Sequence, residues 1–187
     1  MENTVERILM ELSSLAGHIR EEELNAVCDL LYEAAQSQKR IFLAGAGRSG
    51  CVLRAFANRL MHLGFTCHIA GDVTAPPIEK DEILFILSGS GKTGTLVKTA
   101  KKAKSLGARI LTITLQPDED IGQMADQSIL LPGTTRLKDH NSFDSIQPIG
   151  SSFEQLSWLT CDGIIMLLKE RLHQTNEDLI KRHGNLE

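Results

Sequence analysis

Three times in this chain a short, largely apolar run with no charged residue ends in a turn-forming loop and gives way to helical spacing. Ile41 to Ala44 runs into Gly45-Ala46-Gly47, after which apolar residues from Val52 to Leu63 recur every three or four positions. Ile83 to Leu87 runs into Ser88-Gly89-Ser90-Gly91 and a helical stretch from about Thr93 to Leu106. Ile110 to Leu115 runs into Gln116-Pro117 and a short helix. Strands so largely apolar and free of charge are buried on both faces, and parallel neighbours are reached only through crossovers, which the helices supply. The pattern therefore predicts an α/β chain with a doubly wound parallel sheet. Thr66 to Ala70 and Ser128 to Leu131 read as two more strands, for five in all.

The flanks are helical. Val5, Ile8, Leu9, Leu12, Leu15, Ala16 and Ile19 make one amphipathic stripe, and Leu24, Val27, Leu30, Leu31 and Ala34 make a second, behind an acidic first turn at Glu21 to Glu23. Residues 1–38 are thus two N-terminal helices. Pro132 to Pro148 is polar and rich in turn formers, which predicts a long loop. Phe153 to Leu172 follows as one long helix with apolar positions on most faces. Such a helix needs cover on several sides, part of it expected from another subunit. Residues 173–187 form a polar tail.

With 187 residues the chain is expected to be a single domain. Its net charge of -4, without a basic stripe, argues against nucleic-acid binding. The cysteines at 28, 51, 67 and 161 are scattered, with neither a disulfide framework nor zinc-ligand spacing. No leader or membrane-spanning pattern is visible, and the expectation is a reducing cytoplasm.

In an open parallel sheet, ligands bind beyond the carboxyl ends of the strands, where loop amides and helix N-termini favour anions. Gly45-Ala46-Gly47-Arg48-Ser49-Gly50 fits the dinucleotide fingerprint G-x-G-x-x-G, with Asp72 near the position of a ribose-binding acid. Ser88-Gly89-Ser90-Gly91-Lys92-Thr93 resembles the end of a Walker A loop, but Ile86 stands where that pattern needs its first glycine. Both loops set small hydroxyl residues among glycines, a compact cradle for a monophosphate formed by Gly47, Arg48, Ser49, Ser88, Ser90, Gly91 and Thr93. Taken singly, each loop reads equally well as a helix cap that binds nothing.

Together the two loops resemble the sugar isomerase (SIS) domain, whose mark is Ser-Gly-Ser-Gly-x-Thr after a central strand. Ala44 to Gly50, Arg59-Leu60-Met61-His62-Leu63-Gly64-Phe65, Gln147-Pro148-Ile149-Gly150-Ser151-Ser152-Phe153-Glu154-Gln155 and the ending His183-Gly184-Asn185-Leu186-Glu187 are similar to the 6-phospho-3-hexuloisomerases within it. The resemblance covers nearly the whole chain and implies a flavodoxin-like fold and a homotetramer. It also implies interconversion of arabino-hex-3-ulose 6-phosphate and fructose 6-phosphate in ribulose-monophosphate formaldehyde fixation. Lys92 departs from the glutamate usual in that family.

Moving a carbonyl from C3 to C2 needs a base for the C2 proton and an acid/base for the enediol oxygens. Glu154, in the first turn of the long helix, is the candidate base; on spacing alone Ser151-x-x-Glu154 reads more readily as a capping box, and the resemblance reverses that in favour of the base. His62 and His183 are the candidates for the oxygen protons, His183 from a tail expected to reach a neighbouring subunit. Arg48 suits bidentate binding of phosphate or sugar oxygens, or neutralisation of an enediolate. His18, His68, His140 and His173 read as surface or structural, and Trp158 and Phe153 as core or interface. The chemistry requires neither a metal nor another cofactor.

Two other classes remain. A phosphosugar sensor would keep Ser88, Ser90 and Thr93 but need no Glu154. A dinucleotide oxidoreductase would explain Gly45 to Gly50 and Asp72 but not the second loop.

Overall fold

A computed structural model of the chain describes residues 3–133 and 145–186. Its elements run α1 (Thr4–Ala16), α2 (Glu21–Gln36), β1 (Ile41–Gly45), α3 (Arg48–His62), β2 (Cys67–Ile69), β3 (Ile83–Leu87), α4 (Gly94–Ser105), β4 (Arg109–Thr114), α5 (Asp120–Met124), β5 (Gln127–Leu130), α6 (Ser151–Arg171) and α7 (Asn176–Lys181). The five strands pair in the order β2-β1-β3-β4-β5, every pair parallel. The α/β reading and the strand count hold.

Side chains alternate across a strand, so each central strand feeds two cores. Leu43, Phe85 and Ile113 join α1, α2, α3 and α6 on one face, with Leu31, Leu53, Phe56, Leu156 and Ile164. Phe42, Leu84 and Ile110 join α4 and α5 on the other, with Leu96, Ala100 and Ile121. Continuous apolar runs were the signal of this double burial.

Several boundaries differ from the periodicity. Helix α3 begins at Arg48, four residues before its first buried contact at Val52, because its opening turn lies on the loop rather than on the core. The polar tail contains a six-residue helix, α7, held by a reciprocal cap between Thr175 and Asp178. The link from β2 to β3 carries no helix, whereas every other crossover does. Of the predicted Pro132 to Pro148 loop, residues 134–144 lie outside the described residues, and His140 with them. No helix among the described residues is long and apolar enough to cross a membrane.

Candidate active site

Two glycines set the geometry where β1 enters α3. A Cβ on Gly50 would sit 2.7 Å from the Gly45 carbonyl oxygen, and one on Gly45 would sit 2.9 Å from the Gly50 nitrogen. Their spacing, shared with the dinucleotide fingerprint, here serves close packing of strand on helix. Gly47 caps α3 at φ +57, a backbone that side chains disfavour, and offers no side-chain cap. The opening amides of α3, at Arg48 and Ser49, therefore lie at the loop without a capping side chain.

The second loop, between β3 and α4, is tied to the next strand. The Ser88 N–H donates to the Ile113 carbonyl at 3.1 Å, and the Leu115 N–H donates to the Gly89 carbonyl at 3.2 Å. Gly91 turns at φ +64, its N–H reaching the Ser88 carbonyl at 3.3 Å. The Lys92 N–H donates to Ser90 Oγ at 3.3 Å, and Thr93 is the N-cap of α4 without a side-chain cap of its own. Both loops thus leave a helix N-terminus open to an anion at the carboxyl edge of the sheet.

Helix α6 brings its first turn to the same edge. The Phe153 ring lies against Gly89, where an added Cβ would stand 3.2 Å from Cε1. The next residue, Glu154, accepts a hydrogen bond from Arg48 Nε and forms an ion pair with it. The Glu154 side chain is 16% exposed and that of Arg48 67%. A Ser151–Glu154 capping box is not formed: Gly150 is the N-cap, in left-handed backbone, and Ser151 is already helical. The carboxylate is thus turned to Arg48 rather than to its own helix end.

His62 and His183 lie elsewhere. His62 closes α3, fourteen residues after Arg48, which at about 1.5 Å per residue puts the two roughly 20 Å apart. The His183 ring stacks on His62 with centroids 5.0 Å apart, and Arg182 Nη1 donates to the His62 carbonyl at 3.1 Å. The tail accordingly rests on its own α3. Asn58, Arg59, Trp158 and Asp162 join the two imidazoles around a cavity of about 310 Å³. Within one chain, then, the structure brings Arg48, Glu154 and the two loops together and leaves the histidine pair at the far end of α3.

Two features had no signal in the sequence. Lys92 Nζ pairs with Glu119 at 2.6 Å, a residue that only the fold brings near the loop. A groove of about 510 Å³ starts at Arg48, Cys51 and Glu154 and runs along Leu9, Trp158 and Leu159. Asp72, the ribose candidate of the dinucleotide reading, is instead held by both Arg54 guanidinium nitrogens at 2.9 and 3.3 Å. Among the described residues, no three His, Cys, Asp or Glu are grouped to hold a metal ion.

Residues 35–157 match the SIS domain. The chain belongs to the SIS domain family. It is 41% identical over 183 residues to the 3-hexulose-6-phosphate isomerase of Bacillus subtilis, covering 98% of this chain and 97% of that protein. It is 44% identical over 148 residues to the 3-hexulose-6-phosphate isomerase of Mycobacterium gastri, covering 79% and 74%. A solved structure from Methanococcus jannaschii, a hypothetical protein with an inferred function of 3-hexulose-6-phosphate isomerase, superimposes with a TM-score of 0.81. It is 32% identical and covers 98% of both chains. The SIS match begins at the end of α2 and stops in the second turn of α6, so it contains both loops and Glu154.

Proposed function

We propose that this SIS protein is a 6-phospho-3-hexuloisomerase, interconverting D-arabino-hex-3-ulose 6-phosphate and D-fructose 6-phosphate through a cis-enediol. The observation that carries the reading is the Arg48–Glu154 pair beside two uncapped helix N-termini. Relatives named for this reaction, at 41% and 44% identity, supply the substrate. The phosphate is held by the loop amides and by Ser49, Ser88, Ser90 and Thr93, with Gly47 and Gly91 giving the backbone its turns. Glu154 takes the proton from C2, the C3 carbonyl becomes a hydroxyl, and the C2–C3 bond becomes the enediol double bond. Return of the proton to C3, with loss of the C2 hydroxyl proton, leaves the carbonyl at C2. Arg48 stands beside Glu154 where it neutralises charge developing on the enediol oxygens.

The oxygen protons are assigned to His62 and His183. Since roughly 20 Å of helix separates His62 from Arg48 in one chain, the reading requires a second copy, whose histidine pair faces this copy's Glu154. Exposed Val5, Leu9 and Met10 on α1, with Trp158, Leu159 and Met166 on α6, supply an apolar face for such a copy. We read the assembly as a homotetramer with sites at subunit interfaces, the tail of residues 173–187 serving a neighbour by presenting His183. It acts as a single SIS domain in the cytoplasm, in ribulose-monophosphate formaldehyde fixation.

The test is a coupled assay for fructose 6-phosphate formed from the 3-hexulose 6-phosphate. Turnover by wild type supports the reaction. No turnover, with fructose 6-phosphate still raising the melting temperature, refutes it in favour of a phosphosugar-binding module. Mixing inactive Glu154→Gln and His183→Ala chains tests the shared site: recovered turnover in the hybrid supports it, and none refutes it.

A further inference from the structure

Beyond the bond from the Ser88 N–H to the Ile113 carbonyl, the segment from β4 into α5 grips the phosphate loop at three further points. Two are backbone bonds: the Leu115 N–H to the Gly89 carbonyl at 3.2 Å, and the Ile121 N–H to the Gly91 carbonyl at 3.1 Å. The third is the ion pair of Lys92 Nζ with Glu119 at 2.6 Å. The segments are also in close contact: a Cβ on Gly91 would meet Glu119 Cβ at 2.9 Å and the Gln116 carbonyl oxygen at 3.1 Å. Neither Lys92 nor Glu119 has a part in the proton transfers above. Yet Lys92 lies between Gly91 and Thr93, inside the run that holds the phosphate, and its N–H fixes Ser90 Oγ.

We propose that Glu119 is a positioning residue for phosphate binding: through Lys92 it latches the Ser88–Thr93 loop in its anion-binding conformation. This rests on the reading of that loop as the phosphate site. The charge of Lys92 is engaged by Glu119, so the lysine acts as the loop's half of the latch rather than as a ligand of the phosphate. With the latch in place the loop is already ordered when the sugar phosphate arrives, and less of the binding energy goes into ordering it. Both side chains are partly exposed, at 50% and 31%, so the pair is a modest one. Its loss should weaken binding by about two- to five-fold, the range for an exposed pair of up to ~1 kcal/mol.

The two roles open to Lys92 predict opposite signs. If Lys92 were a phosphate ligand restrained by Glu119, then Glu119→Gln would free the lysine and tighten binding. As a latch, Glu119→Gln weakens it. The experiment is calorimetric titration of the full-length protein with fructose 6-phosphate, together with kcat and KM, for wild type, Glu119→Gln, Lys92→Met, the double variant Lys92→Met/Glu119→Gln, and the charge swap Lys92→Glu/Glu119→Lys. The latch predicts a raised Kd and KM with kcat unchanged in both single variants, no further rise in the double variant, and recovery in the swap. Tighter binding by Glu119→Gln, or wild-type binding by it, overturns the latch alone. Absence of fructose 6-phosphate binding by wild type overturns the phosphate site and the latch with it. A fall in kcat at unchanged KM would show a role in the chemistry and overturn the positioning role.

Discussion

Replacing Glu154 by Gln keeps the length and shape of the side chain and removes only its capacity to take a proton. The structure sets the expected cost to folding. Helix α6 starts from Gly150, whose carbonyl accepts the backbone N–H of residue 154, and neither group changes in the variant. What is lost is an ion pair with an arginine that is two-thirds exposed, worth at most about 1 kcal/mol. Stability should therefore stay within about 1 kcal/mol of wild type, a few degrees in Tm at this chain length. Removal of a general base costs a factor of about 10² to 10⁴ in rate, equivalent to ~3–5 kcal/mol of transition-state stabilisation. The coupled assay and a thermal melt on the same samples separate the two quantities. The expected result is a fall of at least about 100-fold in kcat with Tm nearly unchanged. A kcat within about three-fold of wild type would falsify the assignment of Glu154 as the base.

Three further perturbations test the frame around the site. Gly50→Ala would normally favour a helix, but its Cβ would stand 2.7 Å from the Gly45 carbonyl oxygen, so a net loss of about 1–3 kcal/mol in urea unfolding is expected; a gain would contradict the close packing. Arg40 donates from Nη2 at 3.0 Å to a Glu82 carboxylate that is 5% exposed, so Arg40→Met should cost about 3 kcal/mol by stranding that carboxylate, and Glu82→Gln should recover much of it. The Thr175 hydroxyl beside Asp178 holds its carboxyl well below the ordinary carboxylate value, at about 2. A depressed folded value means stabilisation that is complete above about pH 4 and lost as pH falls through 2. Amide exchange in α7 should therefore quicken across that window in wild type, and Asp178→Asn should show no such dependence.

Much of the fold was legible in the sequence. Ile41 to Ala44 and Ile83 to Leu87 lack polar residues, and Ile110 to Leu115 carries only the buried Thr112 and Thr114, because both sheet faces are covered and burial on two sides leaves no exposed charged face. The two loops were legible because only glycine and small hydroxyl residues allow helix N-termini to stay open at a strand end. The α3 boundary was not, since residues 48–51 belong to the helix without contributing to its apolar stripe. Neither was α7, whose six residues bury nothing fully and depend on one cap.

For the site, the spacing around Glu154 favoured a capping box, and only the family resemblance turned it into a candidate base. The tertiary structure removed the capping box, by placing Arg48 across from Glu154 and making Gly150 the cap. The sequence likewise named Lys92 without a partner, and the crossover through β4 supplied Glu119 from the start of α5. It offered His62 and His183 as two separate candidates, and the fold stacked them into one pair at the end of α3 remote from Glu154. Local spacing determines strands, helices and their open ends, because burial and backbone conformation are read residue by residue along the chain. Which charged groups meet depends on the winding of the sheet and on the length of α3, and those distances exist only in three dimensions.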